Sequence, residues 1–295
     1  MQKLGVYYKI KNKYICKNNE SLKILLKIGF MKKILFCIIS LLIIVSSCSK
    51  VPLTGRKQIL LFSDKEIMAL SLENYNNYMK ETPLSNDKVN TERIKTIGRK
   101  IANAVELYLK QNGLSSEIKK FSWEFQLVQE KSVNAFCLPG GKVVFYEGIL
   151  PITKNDNGIA VVMGHEIAHA VAKHSNERLS QQTIIQYGNA AANIALSGKS
   201  SEVQQIWNAS IGLGANVGVL LPYSRKHEYE ADHLGLIFMA MAGYDPNEAV
   251  AFWTRMAQTN KGSSTPEFLS THPSDGKRIA EMKKNLPEAM KYYKK

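Results

Sequence analysis

The residues best suited to chemistry in this chain of 295 residues form one short stretch, His165-Glu166-Ile167-Ala168-His169. On an α-helix, two histidines four residues apart project from one face, one turn apart. That spacing allows two neutral imidazoles to bind a single zinc ion and places the glutamate near a metal-bound water. A helix with two ordinary histidines and a solvated glutamate would show the same pattern, so the prediction depends on finding further ligands.

A catalytic zinc site needs a third protein ligand and keeps its fourth position open to water. The extended pattern HExxHxxGxxH fails here, because Ala172 and Ser175 occupy its glycine and third-histidine positions. His174 is off by one residue and would lie about 180° around a continuous helix from His165. We therefore predict that His174 is a surface or packing histidine.

The other source of a third ligand is a carboxylate from a second helix. Glu228 and Asp232 are one turn apart and share a helix face, whereas Glu230 lies roughly 200° from Glu228. If Glu228 binds the metal, Asp232 can accept the outer N–H of a ligand histidine and fix its tautomer. The alternative is a pair of acidic residues on an exposed helix face.

The elements that must position these residues follow from capping and hydrophobic patterns. The HExxH helix is expected to begin after Asn155-Asp156-Asn157-Gly158 and to run to about residue 179. The segment 182–221 is expected to be helical, as packed core or as a mobile flap over a cleft. Further elements are predicted as helices at 64–79, 88–111 and 224–242, two helices after 245 and 276, a strand at 121–127, and two short strands within 133–150.

These elements predict one α+β domain, mostly helical, with a small sheet beside the HExxH helix. It would cover residues 59–295, after a leader at 1–30 that is expected to be non-native, a signal peptide at 31–47 and a tether at 48–58. Nucleic-acid binding is not expected from the net charge of +14, because residues 1–48 hold nine lysines and one glutamate.

The segment before residue 49 resembles a bacterial lipoprotein signal. Its apolar run from Ile34 to Val45 is too short to span a bilayer, which takes about 20 residues. Ser46-Ser47-Cys48 then matches a lipobox, so Cys48 is the predicted site of lipidation and of attachment to a membrane. A plain secretory signal or an N-terminal anchor are the alternatives. The predicted location is the bacterial cell envelope, on the outer membrane facing the periplasm.

HExxH together with Ser224-Arg225-x-x-Glu228-x-x-Ala231-Asp232 resembles the zinc endopeptidase family of the CAAX prenyl protease and the bacterial heat-shock membrane protease HtpX. The similarity is greatest to its lipid-anchored bacterial periplasmic members and to the related mitochondrial inner-membrane protease. Three further stretches match that subgroup: Asn134-Ala135-Phe136 with Pro-Gly-Gly after it, Gly243-Tyr244-Asp245-Pro246, and Ser270-Thr271-His272-Pro273 followed by Arg278-Ile279.

The resemblance implies a gluzincin-like zincin fold with one zinc ion. His165, His169 and Glu228 would be its ligands, Glu166 the general base, and Asp232 the support of a ligand histidine. His272 could act as a latch that reaches the zinc and blocks it, or as a turn-capping histidine. A donor to the oxyanion is also expected, for which the sequence offers Tyr223, Arg225, His227 and His272.

The predicted function is a zinc-dependent endopeptidase that hydrolyses peptide bonds of misfolded or misassembled proteins by metal-activated water. Protein or peptide chains would be its substrates. The alternative is a chaperone-like assembly factor that binds client proteins in a latent protease cleft. An intact Glu166 favours activity, whereas His272 and the flap-like segment 182–221 leave latency open.

Overall fold

In a computed structural model of the chain, the described residues are 48–196, 220–259, 268–269, 272 and 276–294. The chain divides into the units Met1–Cys48 and Ser49–Lys295, and the fold below is that of the second unit. The predicted leader and signal peptide lie outside the described residues, as does most of the predicted flap. The mostly helical α+β architecture is confirmed.

The helices of the described residues are α1 (Asp64–Glu81), α2 (Lys88–Gln111), α3 (Ser115–Ile118), α4 (Leu150–Thr153), α5 (Asp156–Val171), α6 (His174–Leu196), α7 (Leu220–Met241), α8 (Glu248–Thr259) and α9 (Gly276–Ala289). The strands are β1 (Cys48–Lys50), β2 (Lys57–Ile59), β3 (Glu124–Val128), β4 (Ala135–Leu138) and β5 (Lys142–Tyr146). None of the helices within these ranges is long and apolar enough to cross a membrane.

Side-chain caps explain where the predicted helices begin. Ser63 accepts a hydrogen bond from the backbone N–H of Glu66, whose carboxylate accepts one from the N–H of Ser63, so a capping box begins the helix predicted at 64–79. Asn155 likewise accepts a hydrogen bond from the N–H of Gly158 at the start of α5. The helix that carries HExxH therefore begins directly after its N-cap residue, Asn155.

A three-stranded sheet flanks α5. Its strand order is β3-β5-β4, with β3 parallel to β5 and β4 antiparallel to it. The turn from β4 to β5 uses Gly140 and Gly141, both at φ of 90°, a backbone conformation that glycine adopts without strain. This order leaves β4 at the edge of the sheet.

Helix α5 is the central element of the hydrophobic core. It packs against α2, α7, α8 and the sheet, and its buried residues lie on all sides of the helix. A helix that is apolar all round is expected in the interior of a protein. The HExxH sequence is therefore carried by an element that cannot move without disturbing the core.

The HExxH helix is shorter than predicted. It ends at Val171, because Lys173 takes a left-handed conformation with φ of 60°, and α6 begins at His174. A single continuous helix to residue 179 was expected, and that expectation was wrong. No glycine or proline marks the break, which is why the hydrophobic pattern alone did not show it.

Helices α5 and α7 cross at a contact between two glycines. A Cβ added to Gly164 would lie 2.8 Å from the carbonyl oxygen of Gly235, and one added to Gly235 would lie 2.9 Å from the backbone nitrogen of His165. Both distances are too short for any side chain, so the two backbones touch directly. This contact sets His165 on one helix against Glu228 and Asp232 on the other.

The segment 48–58, predicted as a tether, is packed against the domain. Strands β1 and β2 form a two-stranded sheet, and the side chains of Val51 and Gln58 are both 2% exposed. Arg56 reaches carboxylates on two helices, Glu177 of α6 and Glu230 of α7. The prediction rested on Pro, Gly and polar residues, a composition that a tether shares with a turn.

Replacing Gly235 with alanine tests the role of the helix crossing. We expect Gly235→Ala to lower the free energy of unfolding by about 2 kcal/mol, because the new methyl group overpacks a backbone contact, and to weaken metal binding. Denaturant unfolding of the metal-free protein, followed by a zinc titration, measures both effects.

Gly276→Ala is the matched control, since no described atom lies within 4 Å of a Cβ at that position. It should leave both quantities close to those of the wild type. A Gly235→Ala protein with wild-type stability would show that the glycine contact does not constrain the two helices.

Candidate metal centre

Four side chains from three parts of the chain converge at one side of α5. They are His165 and His169 of α5, Glu228 of α7, and His272, which precedes α9. One ligand atom of each lies within 4.8 Å of the others. The structure therefore brings together the two predicted histidines, the predicted carboxylate and the candidate latch.

The spacing of the donor atoms fits a tetrahedral metal ion. The Nε2 atoms of His165 and His169 are 3.1 Å apart, and they lie 3.3 and 3.4 Å from the carboxylate oxygens of Glu228. Zinc–nitrogen bonds of about 2.0–2.1 Å in tetrahedral geometry separate neighbouring ligand atoms by about 3.4 Å. Two imidazoles and a carboxylate also form a donor set that zinc favours. The residues present therefore fit zinc.

Asp232 fixes the orientation of His165. Its Oδ1 atom lies 2.9 Å from Nδ1 of His165, so this nitrogen donates its proton to the carboxylate and Nε2 faces the cluster. Burial opposes protonation of His165, but the hydrogen bonds that its ring donates to Asp232 and Glu228 outweigh it and raise its pKa to about 9. The surroundings of His165 thus favour a positive charge, which a metal ion supplies.

Arg278 of α9 neutralises the carboxylates from the other side. Its guanidinium donates two hydrogen bonds to Asp232, at 2.6 and 2.8 Å, and lies 3.0 Å from Glu228. The guanidinium carbon is 3.6 Å from the centre of the Trp253 ring, in a cation–π arrangement. Sequence reasoning noted this arginine only as part of a resemblance, because nothing in its spacing shows that α9 returns to the cluster.

The pKa values of the two acidic partners follow from this arrangement. Burial alone would raise both, but the nearby ring of His272 and the guanidinium of Arg278 hold the pKa of Glu228 well below its ordinary value. Arg278 and the hydrogen bond from His165 likewise lower the pKa of Asp232. His169 behaves differently from His165, since burial lowers its pKa well below the ordinary value and keeps it neutral.

Glu166 lies where a general base is needed. Its side chain is 4% exposed, and burial raises its pKa. Within the described residues its Oε1 atom has no hydrogen-bond partner, although Nε2 of His272 is 3.5 Å away. A buried carboxylate oxygen without a donor is costly, and a water bound beside the metal would satisfy it. Its position therefore agrees with the predicted role.

His272 lies at the fourth position of the cluster. Its Nδ1 atom is 3.2 Å from Nε2 of His165 and 3.1 Å from the carboxylate of Glu228. Its ring is packed on Phe268 at 4.8 Å between centroids. The side chain thus reaches the place that a catalytic site keeps for water.

His174 and Glu230 are closer to the cluster than predicted. His174 is 1% exposed, and its Nδ1 atom lies 2.9 Å from Nδ1 of His169. The surface alternative for His174 was wrong and the packing alternative is confirmed, because the break at Lys173 turns α6 back toward α5 and stacks the ring on His227. Glu230 accepts a hydrogen bond at 2.9 Å from Nε2 of His174. Residues on both faces of α7 therefore contact histidines in or beside the cluster.

The remaining candidate donors are not gathered at the cluster. His227 is buried, stacks on His174 and lies 3.0 Å from Glu177 through its Nε2 atom, while Arg225 is exposed. The side chain of Tyr223 lies outside the described residues. His272 is the only one of the four that the described residues place beside the histidine ligands.

The raised pKa of His165 predicts how metal binding depends on pH. Below pH 9 this histidine carries a proton that must leave when the metal binds. Zinc affinity should therefore rise roughly tenfold per pH unit, or about 100-fold between about pH 6.5 and about pH 8.5. A competition titration against a chromophoric chelator at each pH measures it, and an affinity that stays constant over this range would contradict the assignment.

Several known proteins are similar to this chain. The Mitochondrial metalloendopeptidase OMA1 of Schizosaccharomyces pombe is 42% identical over 177 residues, which cover 59% of this chain and 50% of that protein. Its namesake in Saccharomyces cerevisiae is 37% identical over 218 residues, covering 68% and 57%. The Putative beta-barrel assembly-enhancing protease of Vibrio cholerae is 28% identical over 205 residues, covering 68% and 40%. The chain spans about half the length of the relatives it matches.

These comparisons correct the predicted location. A lipid-anchored protein of the bacterial outer membrane was expected, but relatives from fungi, a plant and animals are named as mitochondrial metalloendopeptidases. They point to mitochondria rather than to a bacterial outer membrane. The predicted location rested on the lipobox at Cys48, and a short apolar run before small residues and a cysteine is a weak pattern.

The family comparison agrees with the geometry. Residues 89–286 match Peptidase family M48, a range that contains the HExxH helix, the helix of Glu228 and both His272 and Arg278. The resemblance to HExxH zinc endopeptidases is confirmed. The chain belongs to Peptidase family M48.

Proposed function

We propose that this chain is a zinc-dependent endopeptidase that cleaves internal peptide bonds of protein substrates. The observation that carries the proposal is the convergence of His165, His169 and Glu228 at tetrahedral spacing. A buried oxygen of Glu166, which has no hydrogen-bond partner in the part of the chain that the structure describes, lies beside them. A structural zinc site has no need of a buried base such as Glu166. The names of the relatives support the same activity.

The roles of the protein groups follow from their positions. Zinc, when bound, supplies Lewis acidity to a water molecule and to the carbonyl group of the substrate. Glu166 accepts a proton at Oε1 and later delivers it to the nitrogen of the leaving amine. Burial raises the pKa of Glu166, which makes its carboxylate a stronger base than a solvated one.

The surroundings of the cluster suit an extended peptide. Strand β4 lies at the edge of the sheet, where its outward backbone groups can pair with a substrate strand. A pocket that is open to solvent lies beside His169, with Met68, Phe121 and Ala170 among its apolar lining residues. Backbone pairing at β4 would hold any sequence in register, and the pocket would accept a side chain.

Misfolded or misassembled proteins are the substrate class that we propose. Pairing through backbone groups needs an unfolded segment rather than a particular sequence, so the edge of β4 favours chains that have lost their fold. The beta-barrel assembly-enhancing proteases among the relatives support a role in quality control. Attachment to a membrane through a lipid on Cys48 remains a prediction, which intact-mass measurement of the purified protein tests.

A chaperone-like assembly factor is the second candidate, favoured by the position of His272. Its Nδ1 atom lies within 3.2 Å of both His165 and Glu228, so the ring can fill the position that a substrate carbonyl or water needs. In that state the protein would bind client chains at the cleft without cleaving them. We propose that His272 is a reversible latch of the endopeptidase.

Glu166→Gln separates the two functions. We expect the variant to lose at least about 100-fold in casein cleavage, because a neutral amide cannot accept the proton, while zinc content stays at one ion per chain. Glu92→Gln, on an exposed part of α2, is the control and should cleave like the wild type. Wild-type protein that is treated with a chelator should be inactive.

If Glu166→Gln retains the wild-type rate, or if the chelated wild type still cleaves casein, the endopeptidase proposal is wrong. A wild type that binds unfolded casein and never cleaves it would favour the chaperone-like candidate.

His272→Ala tests the latch. We expect cleavage to become several-fold faster, since the open position is then accessible to water and substrate, while zinc is held more weakly because one donor is lost. Initial rates with saturating zinc and a chelator titration measure the two effects. A fall in kcat with unchanged zinc affinity would instead identify His272 as a donor to the oxyanion.

A further inference from the structure

A line of hydrogen bonds leads from the zinc ligand His169 to the N-terminal segment 51–59. Nδ1 of His169 lies 2.9 Å from Nδ1 of His174, and Nε2 of His174 lies 2.9 Å from the carboxylate of Glu230. Arg56 then donates a hydrogen bond of 2.8 Å to Glu230. The segment that contains Arg56 precedes residues 89–286, the range of the family match.

The proton positions along this line follow from the chemistry of its last member. The carboxylate of Glu230 can only accept a hydrogen bond while it is ionised, so Nε2 of His174 must be the donor. A neutral His174 then accepts at Nδ1, and Nδ1 of His169 must carry the proton it donates. The lone pair of His169 is therefore at Nε2, the atom that faces His165 and Glu228.

This line of hydrogen bonds is held in place by a partly buried network of ion pairs around Arg56. The guanidinium binds both oxygens of Glu177, at 2.9 and 2.6 Å, in addition to Glu230. His227 lies 3.0 Å from Glu177, and its ring stacks on His174 at 4.3 Å between centroids. Thr54 also donates a hydrogen bond to Glu230. Glu230 thus accepts hydrogen bonds from two residues of the N-terminal segment, which fix the position of its carboxylate. The stacking on His227 likewise restricts rotation of the His174 ring.

We propose that Arg56, Glu230 and His174 are positioning residues that hold His169 in the tautomer that binds the metal. Zinc affinity then depends on the docking of the N-terminal segment 51–59 against α6 and α7. This inference rests on the proposed function, since it assumes that His169 is a zinc ligand. Partners that lie behind a ligand histidine are typically worth 10- to 100-fold in metal affinity.

Glu230→Met is the sharpest test, because it keeps the length of the side chain and removes both carboxylate oxygens, so that Nε2 of His174 loses its acceptor. His174 is then no longer held in the tautomer that accepts at Nδ1, and the proton on Nδ1 of His169 loses its partner. We expect zinc affinity to fall by about 10- to 100-fold. A competition titration with a chromophoric chelator measures it, and the visible spectrum of the cobalt-substituted protein should change.

Two substitutions of Arg56 separate positioning from general stabilisation. Arg56→Met should lower zinc affinity in the same range, whereas Arg56→Lys, which keeps a donor and a charge, should restore a large part of it. Arg93→Met is the matched control, because Arg93, like Arg56, forms an ion pair with a carboxylate. Its partner is Asp156 of α5, at the end of that helix away from HExxH. The control should lose stability without losing zinc affinity.

The outcomes distinguish this inference from the proposed function. If the wild type binds zinc and both Glu230→Met and Arg56→Met bind it within twofold of the wild type, the positioning role is wrong and the endopeptidase proposal stands. If the wild type itself binds no zinc, the proposed function fails. Should Glu230→Met not fold, Arg56→Met and Arg56→Lys decide: equal affinities at the wild-type level overturn the inference.

Discussion

The contact between Gly164 and Gly235 is the constraint on which the rest of the site depends. It allows the backbones of α5 and α7 to touch, with a hypothetical Cβ on either glycine less than 3.0 Å from the other helix. Glycine is otherwise unfavourable within a helix, by about 1 kcal/mol relative to alanine. The close approach explains why both helices carry one, since a wider crossing would separate Glu228 from the two histidines.

The balance of charge within the core explains the remaining residues of the site. Glu166, Glu228 and Asp232 are all buried, and a buried carboxylate without a partner is strongly destabilising. Arg278 supplies one positive charge, so three ionised carboxylates would leave two negative charges. A divalent cation neutralises both. The raised pKa of His165 has the same cause. The excess of negative charge favours a proton on its ring, which partly replaces that cation.

Much of this arrangement was predictable from local patterns, and the reasons for the exceptions are physical. Caps and periodicity located α1, α2 and α5, and helical spacing placed Asp232 on the same face as Glu228. The turn at Lys173 was not predictable, because a lysine with positive φ has no sequence signal. That one turn brings His174 to His169. Arg56 was missed, and Arg278 was noted only through a resemblance, for a related reason, since tertiary contacts bring both to the site from distant parts of the chain.

The central claim is that one divalent cation is held between α5 and α7 by two imidazoles and a carboxylate. Anomalous diffraction from crystals of the zinc-loaded protein, recorded on both sides of the zinc absorption edge, tests it most directly. The account predicts a single strong peak about 2.0–2.2 Å from Nε2 of His165, Nε2 of His169 and a carboxylate oxygen of Glu228. A zinc peak bound elsewhere, with Glu228 turned away from the histidines, would contradict it.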